Sequence, residues 1–408
     1  MKKDFCSKKG KFCGAKGMTV EQVVRIAILK QITQLSYLKL YDALNDNLCY
    51  RNFTKIYDSK VPKANTLCEN IKRIKPESWE KINRFIIGLA KEKGIEKGSK
   101  VRIDTTGVES NIQHPTDGGL LWDCIRVINR IIETVKEEYP EIEFKYSNHG
   151  RSAKRRRYKI INTSRKEHRR KAYAELLKIS AEVKKYGMSC VEALSKKEYA
   201  GEVEAEIYRE ELEGYILALE KIQNQTRRRV IEDEKVPAKE KLVSIFEEHT
   251  DILTKGKRKV IFGHKIMLSG GKSNLVLDCE IERGNWSDSE NFSTGLERLK
   301  DIYGVMPKEV STDGGFASKD NYNYAKGKEI EKVVFTKGAA AKIKELIRSS
   351  SAYKRLKKFR AGIEGCISAC KRAYGLDRCT WKGWESFQSY VWVSIIAFNL
   401  NVIAEKLL

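Results

Sequence analysis

Two aspartates at the ends of short β-branched runs are the first candidates for chemistry. Asp104 lies at the C-terminal end of a predicted strand at 100–106, and Asp313 directly follows a second predicted strand at 308–312. Small threonine and glycine residues come after both aspartates, which leaves room for a metal ion and a phosphate near the backbone. Because sites in open α/β sheets are built at the carboxyl ends of strands, we expect folding to bring these carboxylates together.

A third carboxylate is predicted from helix geometry. Arg360, Glu364 and Lys371 are spaced i, i+4 and i+11, and eleven residues are close to three turns, so all three share one helix face. The two cations would keep Glu364 ionised and would also bind a phosphate. We therefore predict that Glu364 acts together with Asp104 and Asp313.

Three such carboxylates are suited to cutting a phosphodiester bond. That reaction uses two metal ions ~3.5–4 Å apart, held by several carboxylates, to activate the attacking oxygen and the leaving oxygen. Taken singly, an aspartate after a strand more often caps a helix or a turn, and an i,i+4 Arg–Glu pair is more often a surface ion pair. Their combination in one topology favours the catalytic interpretation.

Other acidic residues and histidines have simpler explanations, and we assign none of them a catalytic role. Asp117 is predicted to cap the helix that follows it, and Asp288 is predicted to cap a helix that begins near residue 289. The others lie inside a predicted element or lack the spacing of zinc ligands: Asp123, Asp278, His114 and His264.

The residues before the first strand, from 15 to about 93, are predicted to form a compact all-helical unit. The motif Thr19-x-x-Gln22 has the form of a capping box and precedes an apolar stripe with helical spacing. Thr66-x-x-Glu69 is interpreted as a second capping box, and further helices are predicted at 37–44 and 79–90. Short stacked helices can present one helix to a DNA groove, and they are equally common as scaffolding.

A long helical interruption separates the first predicted strand from the others. Helical sequence runs from Leu120 to about Leu253, and a hairpin is predicted around Ser269-Gly-Gly271. After the helical segment, strands and helices alternate along the chain. Strands are predicted at 260–268, 275–281, 308–312 and 333–336, and helices are predicted at 289–303, 318–326, 339–347 and from 353 onward. The aspartates can meet only if the helical segment loops out, so we expect an α/β sheet domain that is discontinuous in sequence.

The charge of the chain favours a polyanionic partner. Its 79 Lys and Arg residues outnumber 55 Asp and Glu, which gives a net charge of +24 and a pI near 9.4. Residues 151–171 carry eleven basic side chains against one acid, Glu167. Such a run is often a solvated face or a mobile arm, but in this basic protein we favour phosphate contact, with Arg155, Arg156 and Arg157 as the candidates.

The remaining composition favours a cytoplasmic protein. Ten cysteines are scattered without any CxxC pair, which favours reduced structural thiols over disulfides or zinc. No charged and apolar leader opens the sequence, and we expect no signal peptide. The apolar stretch 390–404 is interrupted by polar residues and lacks the ~20 continuous apolar residues of a membrane span, so we predict a buried core helix there and no membrane partner.

Four blocks of sequence resemble bacterial and archaeal insertion-sequence transposases of the DDE type, in the group filed as ISNCY. The resemblance runs from about Met18 to the C-terminus, and its blocks are 101–117, 311–321, 359–368 and 374–384. That family has a Tyr-x2-Arg-x3-Glu-x6-Lys signature on a late helix. Arg360, Glu364 and Lys371 match it, while Lys357 stands at the tyrosine position.

The resemblance implies an RNase H-like catalytic core, a mixed sheet flanked by helices, formed by 96–119 and 255–408. An N-terminal helical DNA-binding domain at 1–95 and a basic helical insertion at 120–254 after the first core strand would complete the chain. Asp104, Asp313 and Glu364 would be both the catalytic residues and the metal ligands.

The resemblance also implies a reaction and its partners. Two Mg²⁺ ions, for which Mn²⁺ can substitute, would serve the cleavage of double-stranded DNA at the terminal inverted repeats and the joining of the freed 3′-OH to target DNA. Such enzymes usually work as homodimers or larger synaptic complexes, here in a prokaryotic cytoplasm at the nucleoid. Two alternatives stay open: a nuclease or resolvase of the same fold that hydrolyses without joining, and a domesticated DNA-binding protein with an idle site.

Overall fold

The chain forms two compact units. The computed structural model describes residues 17–57, 60–196, 198–199, 201–255, 259–336 and 350–408. The first unit combines Met1–Asn111 with Leu253–Leu408, and the second is Ile112–Ile252. The predicted division into three domains, with 1–95 as a DNA-binding domain of its own, stays a prediction.

A mixed six-stranded sheet forms the centre of the first unit. Its strands follow the order β2-β3-β1-β5-β6, and β4 also pairs with β3. β3 is antiparallel to β1 and β4, whereas β5 is parallel to β1 and β6. The strands are β1 Lys100–Glu109, β2 Asp251–Lys255, β3 Lys259–Gly270, β4 Val276–Ile281, β5 Glu309–Thr312 and β6 Lys332–Phe335. The parallel pairing of β1 with β5 aligns the carboxyl end of β5 with Ile103, in the middle of β1.

The predicted hairpin is present, but its turn lies further along the chain than expected. Ser269 and Gly270 still belong to β3, and the register of the β3–β4 pair shifts between them. The chain reverses over 271–275, where Asn274 adopts a left-handed backbone with φ of 69°. Asparagine tolerates this conformation better than most residues, so it can take the place usually given to glycine.

Nine helices are described in the first unit. Those before the sheet are α1 Val20–Thr33, α2 Tyr37–Asp46, α3 Leu48–Thr54, α4 Ala64–Arg73 and α5 Pro76–Glu92; those after the second unit are α10 Phe292–Tyr303, α11 Lys319–Gly327, α12 Ser350–Ala373 and α13 Trp384–Leu407. The capping box of Thr19 and Gln22 is confirmed. The second predicted capping box is wrong, because α4 already begins at Ala64 and Thr66 lies inside it. The helix predicted at 339–347 lies outside the described residues.

The predicted core helix is confirmed as α13. Among the helices of the described residues, α13 is the one that is long and apolar enough to cross a membrane, judged by length and composition only. In the folded protein, however, 67% of its apolar stretch is buried. Polar side chains within the helix bond to neighbouring elements: Asn399 accepts from Val276 N at 2.9 Å, and Gln31 of α1 donates to Ser394 Oγ at 2.7 Å. The N-terminal helices and the sheet thus share one core around α13.

The second unit is helical and has its own apolar core. Its helices are α6 Asp117–Glu138, α7 Gly150–Asn162, α8 Lys166–Leu194 and α9 Val203–Thr226. The prediction for Asp117 is wrong, because Thr116 caps α6 and Asp117 is its first residue. The buried Asp117 carboxylate instead accepts hydrogen bonds from Arg229 at 2.7 Å and Gln225 at 3.1 Å, so it holds the end of α9 to the start of α6.

Candidate active site

The sheet register places the two predicted aspartates side by side. Ile103 of β1 pairs in parallel with Thr312 of β5, so the next residue on each strand is an aspartate. The Asp104 and Asp313 side chains are 14% and 33% exposed. Asp313 directly follows the carboxyl end of β5, as predicted. The predicted position of Asp104 at the end of its strand is wrong, because β1 continues to Glu109 and stays paired with β3 over that length. The carboxylates meet because β5 ends beside the middle of β1.

Arg360 on α12 joins these aspartates to the third predicted carboxylate. Its Nη2 lies 2.8 Å from Asp104 Oδ2 and 3.9 Å from Asp313 Oδ1, and its Nη1 lies 2.7 Å from Glu364 Oε1. The i,i+4 spacing on the helix makes the last contact, and the packing of α12 on β1 and β5 makes the other two. One guanidinium thus gathers Asp104, Asp313 and Glu364 at one place.

Burial sets the electrostatics of this cluster. Burial raises the pKa of Asp104 above its usual range, although Arg360 and the Thr105 N–H act in the opposite direction. For Arg360, burial acts to lower the pKa, but Asp104, Asp313 and Glu364 outweigh burial and the pKa is raised. Arg360 consequently remains a cation, and Asp104 carries a charge that is costly to leave without a positive partner.

Lys371 anchors the far end of the same helix face to β1. Its ammonium donates to the carbonyl oxygen of Gly107 at 2.7 Å and lies 3.4 Å from the Asp377 carboxylate. Lys371 and Glu364 both border an open cleft of about 920 Å³ that also contains Asp104 and Asp313. The helix therefore contributes an acidic and a basic group to one cleft.

Asp288 is a residue of this cleft that the sequence analysis did not find. We predicted a helix cap, but α10 begins at Phe292 and its capping residue is Asn291. Instead, Asp288 Oδ1 accepts a hydrogen bond from Thr105 Oγ1 at 3.0 Å and lies 2.5 Å from Lys265 Nζ. An acidic residue shortly before a helix matches the pattern of a cap, so the local sequence gave no signal of this role.

The Asp288 carboxylate lies very close to Gly315, in the turn that follows Asp313. A Cβ atom at Gly315 would lie 2.5 Å from Asp288 Oδ2, well inside normal contact distance. Asp288 therefore touches the turn after Asp313 as well as the residue after Asp104. The small residues noted after both aspartates make room for this fourth carboxylate.

The donor set suits a hard divalent cation, although the carboxylates face Arg360. Carboxylate oxygens are the ligands that Mg²⁺ prefers. In the part of the chain that the structure describes, no three His, Cys, Asp or Glu side chains are arranged closely enough to hold a metal. Asp313 Oδ1, however, is buried without a hydrogen-bond partner among the described residues, which makes it available to a ligand. The chemistry of these donors suits a divalent metal, while in this structure Asp104 and Glu364 are both bonded to Arg360.

The basic residues predicted to bind DNA belong to two different units. Arg360 and Lys371 lie in the first unit with the carboxylates, while Arg155, Arg156 and Arg157 lie on α7 of the second. Arg155 is exposed, whereas Arg156 donates to Glu175 at 3.2 Å and to Ser152 at 3.0 Å. Of these three arginines, Arg155 is thus the best presented to a phosphate.

Family comparisons place these features in a known class. Residues 249–400 match a model described as a transposase DDE domain, and residues 3–73 match a model described as a transposase domain. No curated protein and no solved structure matches the chain. The chain is a transposase of the DDE class, an enzyme that acts on DNA.

The two matched models together indicate an insertion-sequence transposase, as the sequence resemblance implied. A DDE domain implies an RNase H-like core, and the mixed sheet with flanking helices agrees with it. Enzymes of this family generally use divalent metal ions.

Proposed function

We propose that this enzyme cuts DNA at the terminal inverted repeats of its insertion sequence and joins the freed 3′-OH ends to target DNA. The observation that carries the proposal is the Arg360-centred cluster of Asp104, Asp313 and Glu364 beside the carboxyl end of β5. This cluster supplies three oxygen-donor side chains in an open cleft, and the cleft also has basic groups for a phosphate backbone.

Asp104, Asp313 and Glu364 would hold two Mg²⁺ ions, with Mn²⁺ as an effective substitute. When bound, such ions activate the attacking oxygen and stabilise the leaving oxygen of the phosphodiester. Arg360, released from the carboxylates, binds a non-bridging phosphate oxygen, for which a guanidinium is well shaped. Lys371 holds α12 to the end of β1, so that Glu364 stays beside Asp104.

Two regions are proposed to hold the DNA outside the cleft. The helices of residues 1–95 would recognise the element ends. Helix α7 of the second unit would contact phosphates through exposed side chains that have no ion pair with another described residue: Arg151, Lys154, Arg155 and Lys159. We propose that the enzyme acts as a homodimer or a larger synaptic complex, in the cytoplasm at the nucleoid of a prokaryote.

A cleavage assay tests the catalytic assignment. Purified protein, Mg²⁺ and a DNA end that carries the inverted repeat flanking the gene are expected to give a cut that leaves a 3′-OH. Asp104→Asn, Asp313→Asn and Glu364→Gln should each remove detectable cleavage, while Asp123→Asn, which changes an acid of the second unit, should not. Undiminished cleavage in any of the three site variants would contradict the assignment of that residue.

Two further measurements separate the parts of this proposal. Mn²⁺ binding to the DNA-free protein, followed by electron paramagnetic resonance, is expected to weaken roughly 10-fold or more in Asp104→Asn. A supercoiled target added to the pre-cut element end should acquire that end through its 3′-OH. Cleavage without this joining would identify a nuclease of the same fold.

A further inference from the structure

Arg102 is a buried arginine two residues before Asp104 on β1. Its side chain is 3% exposed, which is unusual for a cation because removal from water is costly unless hydrogen bonds compensate. No Asp or Glu of the described residues forms an ion pair with it, and its bonds go to neutral acceptors. A buried arginine without an acidic partner, two residues before a candidate catalytic aspartate, calls for a specific role.

The bonds of Arg102 lead to the helix that carries Arg360 and Glu364. Nη1 donates to the carbonyl oxygen of Phe359 at 3.0 Å, and the guanidinium lies 4.8 Å from the centre of the Phe359 ring. Nη2 donates to Asn274 Oδ1 at 2.6 Å and approaches Cys366 Sγ at 3.6 Å. One planar group therefore connects β1 to α12 and to the turn between β3 and β4.

That turn is itself held in place. Glu96 accepts hydrogen bonds from the Ser273 N–H at 2.7 Å and from its hydroxyl at 2.6 Å. The Asn274 carbonyl accepts from Cys366 Sγ at 3.3 Å, so the turn grips α12 directly as well as through Arg102. A fixed turn orients the Asn274 amide, and the amide orients the guanidinium.

Gly362 makes the close approach of Arg102 to the helix possible. A Cβ atom at this position would overlap the Arg102 guanidinium. Glycine weakens the interior of a helix, so its presence here in α12 fits a need for space. The guanidinium is the far end of a long side chain, but moving it away from a Cβ at position 362 would disturb its bonds to Phe359, Asn274 and Cys366.

Helix geometry connects this contact to the active site. Phe359, Gly362 and Cys366 share one face of α12, and Arg360 and Glu364 lie about 150° around the helix from the centre of that face. The rotation of α12 against β1 therefore decides whether Arg360 reaches Asp104. A turn of the helix by a fraction of this angle would separate the three carboxylates.

We propose that Arg102, with Asn274, Phe359 and Gly362, forms a clamp that sets the rotation of α12 and thereby positions Arg360 and Glu364 over Asp104. Arg102 is a positioning residue in this proposal and does not touch the substrate. The proposal rests on the function proposed above, because it assigns the clamp to that site.

A double-mutant cycle tests the clamp itself, independently of catalysis. Arg102→Leu removes the three atoms nearest to a Cβ at position 362, all of which belong to the Arg102 guanidinium. Gly362→Ala alone is expected to lower the melting temperature, whereas in the Arg102→Leu background the same change should leave it unaltered or raise it, since alanine favours helix. Additive effects on the melting temperature would overturn the clamp.

Kinetics test the positioning role. Arg102→Leu is expected to slow cleavage at saturating DNA roughly 10- to 100-fold, because small misplacements of reacting groups have effects of that size. The dissociation constant for DNA should stay within about 2-fold of the wild type, since no DNA contact is lost. Weaker DNA binding without a slower saturated rate would overturn the positioning role.

Arginine-to-lysine exchange provides a matched control. Arg298 serves as the control for Arg102, because it is also an arginine of the first unit with a fork of hydrogen bonds, and it is partly buried. It donates to the Asp278 carboxylate at 2.6 Å and 2.8 Å. Arg298→Lys should lower the melting temperature and leave the saturated rate unchanged, whereas Arg102→Lys should lower both, because lysine cannot reproduce the fork of bonds. Equal saturated rates in the two lysine variants would refute the proposal.

The outcomes keep the two proposals distinguishable. If Asp104→Asn and Glu364→Gln retain full cleavage, the assigned site is wrong, while a non-additive melting cycle would still establish the clamp as a structural contact. If these two variants are inactive but Arg102→Leu cleaves at the wild-type rate, the site stands and the positioning role of Arg102 is wrong.

Discussion

Replacing Arg360 by methionine removes the cation that bonds to Asp104 and Glu364. The Arg360 side chain is 8% exposed and that of Asp104 is 14% exposed, so this pair is largely shielded from water. Glu364 is 55% exposed, and its pair with Arg360 is worth well under ~1 kcal/mol on its own. The effect of the substitution should therefore come mainly from Asp104.

The expected loss of stability is about 3 kcal/mol at pH 8, near the lower end of the ~3–5 kcal/mol for breaking a buried pair. Burial already raises the pKa of Asp104, and losing Arg360 raises it further. A carboxyl whose folded pKa is raised contributes stability below its unfolded pKa of about 3.8, and this contribution is lost as the pH rises through the folded pKa. The deficit of Arg360→Met relative to the wild type should consequently be small near pH 4 and grow towards pH 8.

Urea unfolding in the presence of a chelator, at several pH values, measures this deficit. Adding Asp104→Asn to Arg360→Met should recover most of the lost free energy at pH 8, because the neutral amide needs no cation. A deficit of the same size at pH 4 and pH 8, or a double variant no more stable than Arg360→Met, would refute the reasoning.

Three other predictions follow from separate contacts. Asp288→Asn weakens the acceptor for Thr105 Oγ1 beside Asp104 and removes the charge that pairs with Lys265, so it should slow saturated cleavage roughly 10-fold and lower the melting temperature, which a single-turnover assay and calorimetry would check. Burial, with Glu282 beside it, raises the pKa of Glu280 to about 7, so the stability that the protonated group provides is lost as the pH rises through 7. Glu280→Gln should thus stabilise the protein by about 2 kcal/mol at pH 8.5 and hardly at pH 5, as urea midpoints would show. Replacing Arg155 and Lys159 together by alanine should reduce the slope of log affinity for DNA against log salt by up to about 2, measured by fluorescence anisotropy.

The parts of the site that local patterns determine were predictable from the sequence. Asp313 was predicted correctly at a strand end, because a β-branched run that stops before an aspartate indicates a strand and its carboxyl end. The same pattern placed Asp104 on a strand, but it did not indicate that β1 continues to Glu109. Glu364 was found because i,i+4 spacing places Arg360 beside it on any helix. In each case the relevant neighbours lie within a few residues along the chain, and the parallel register of β1 and β5 then places the two aspartates side by side.

Asp288 and Arg102 could not be found in this way, because their roles depend on contacts between distant segments. The sequence around Asp288 is equally suited to a helix cap, and only the approach of Thr105 and Lys265 distinguishes the two roles. Thr66 is a second example of an ambiguous local pattern. Its sequence matches a capping box, but it lies inside a helix and does not cap it. A short polar motif defines what a residue can bond to, and packing decides which of those bonds forms.

The two buried arginines of the site, Arg102 and Arg360, bond to different kinds of acceptor. Arg102 bonds to a helix carbonyl and to an amide oxygen, which are neutral groups of residues outside the lining of the cleft. Arg360 bonds to carboxylates, for which a divalent cation is a direct competitor. In the proposed reaction, α12 would therefore keep its rotation while Arg360 exchanges the carboxylates for a phosphate.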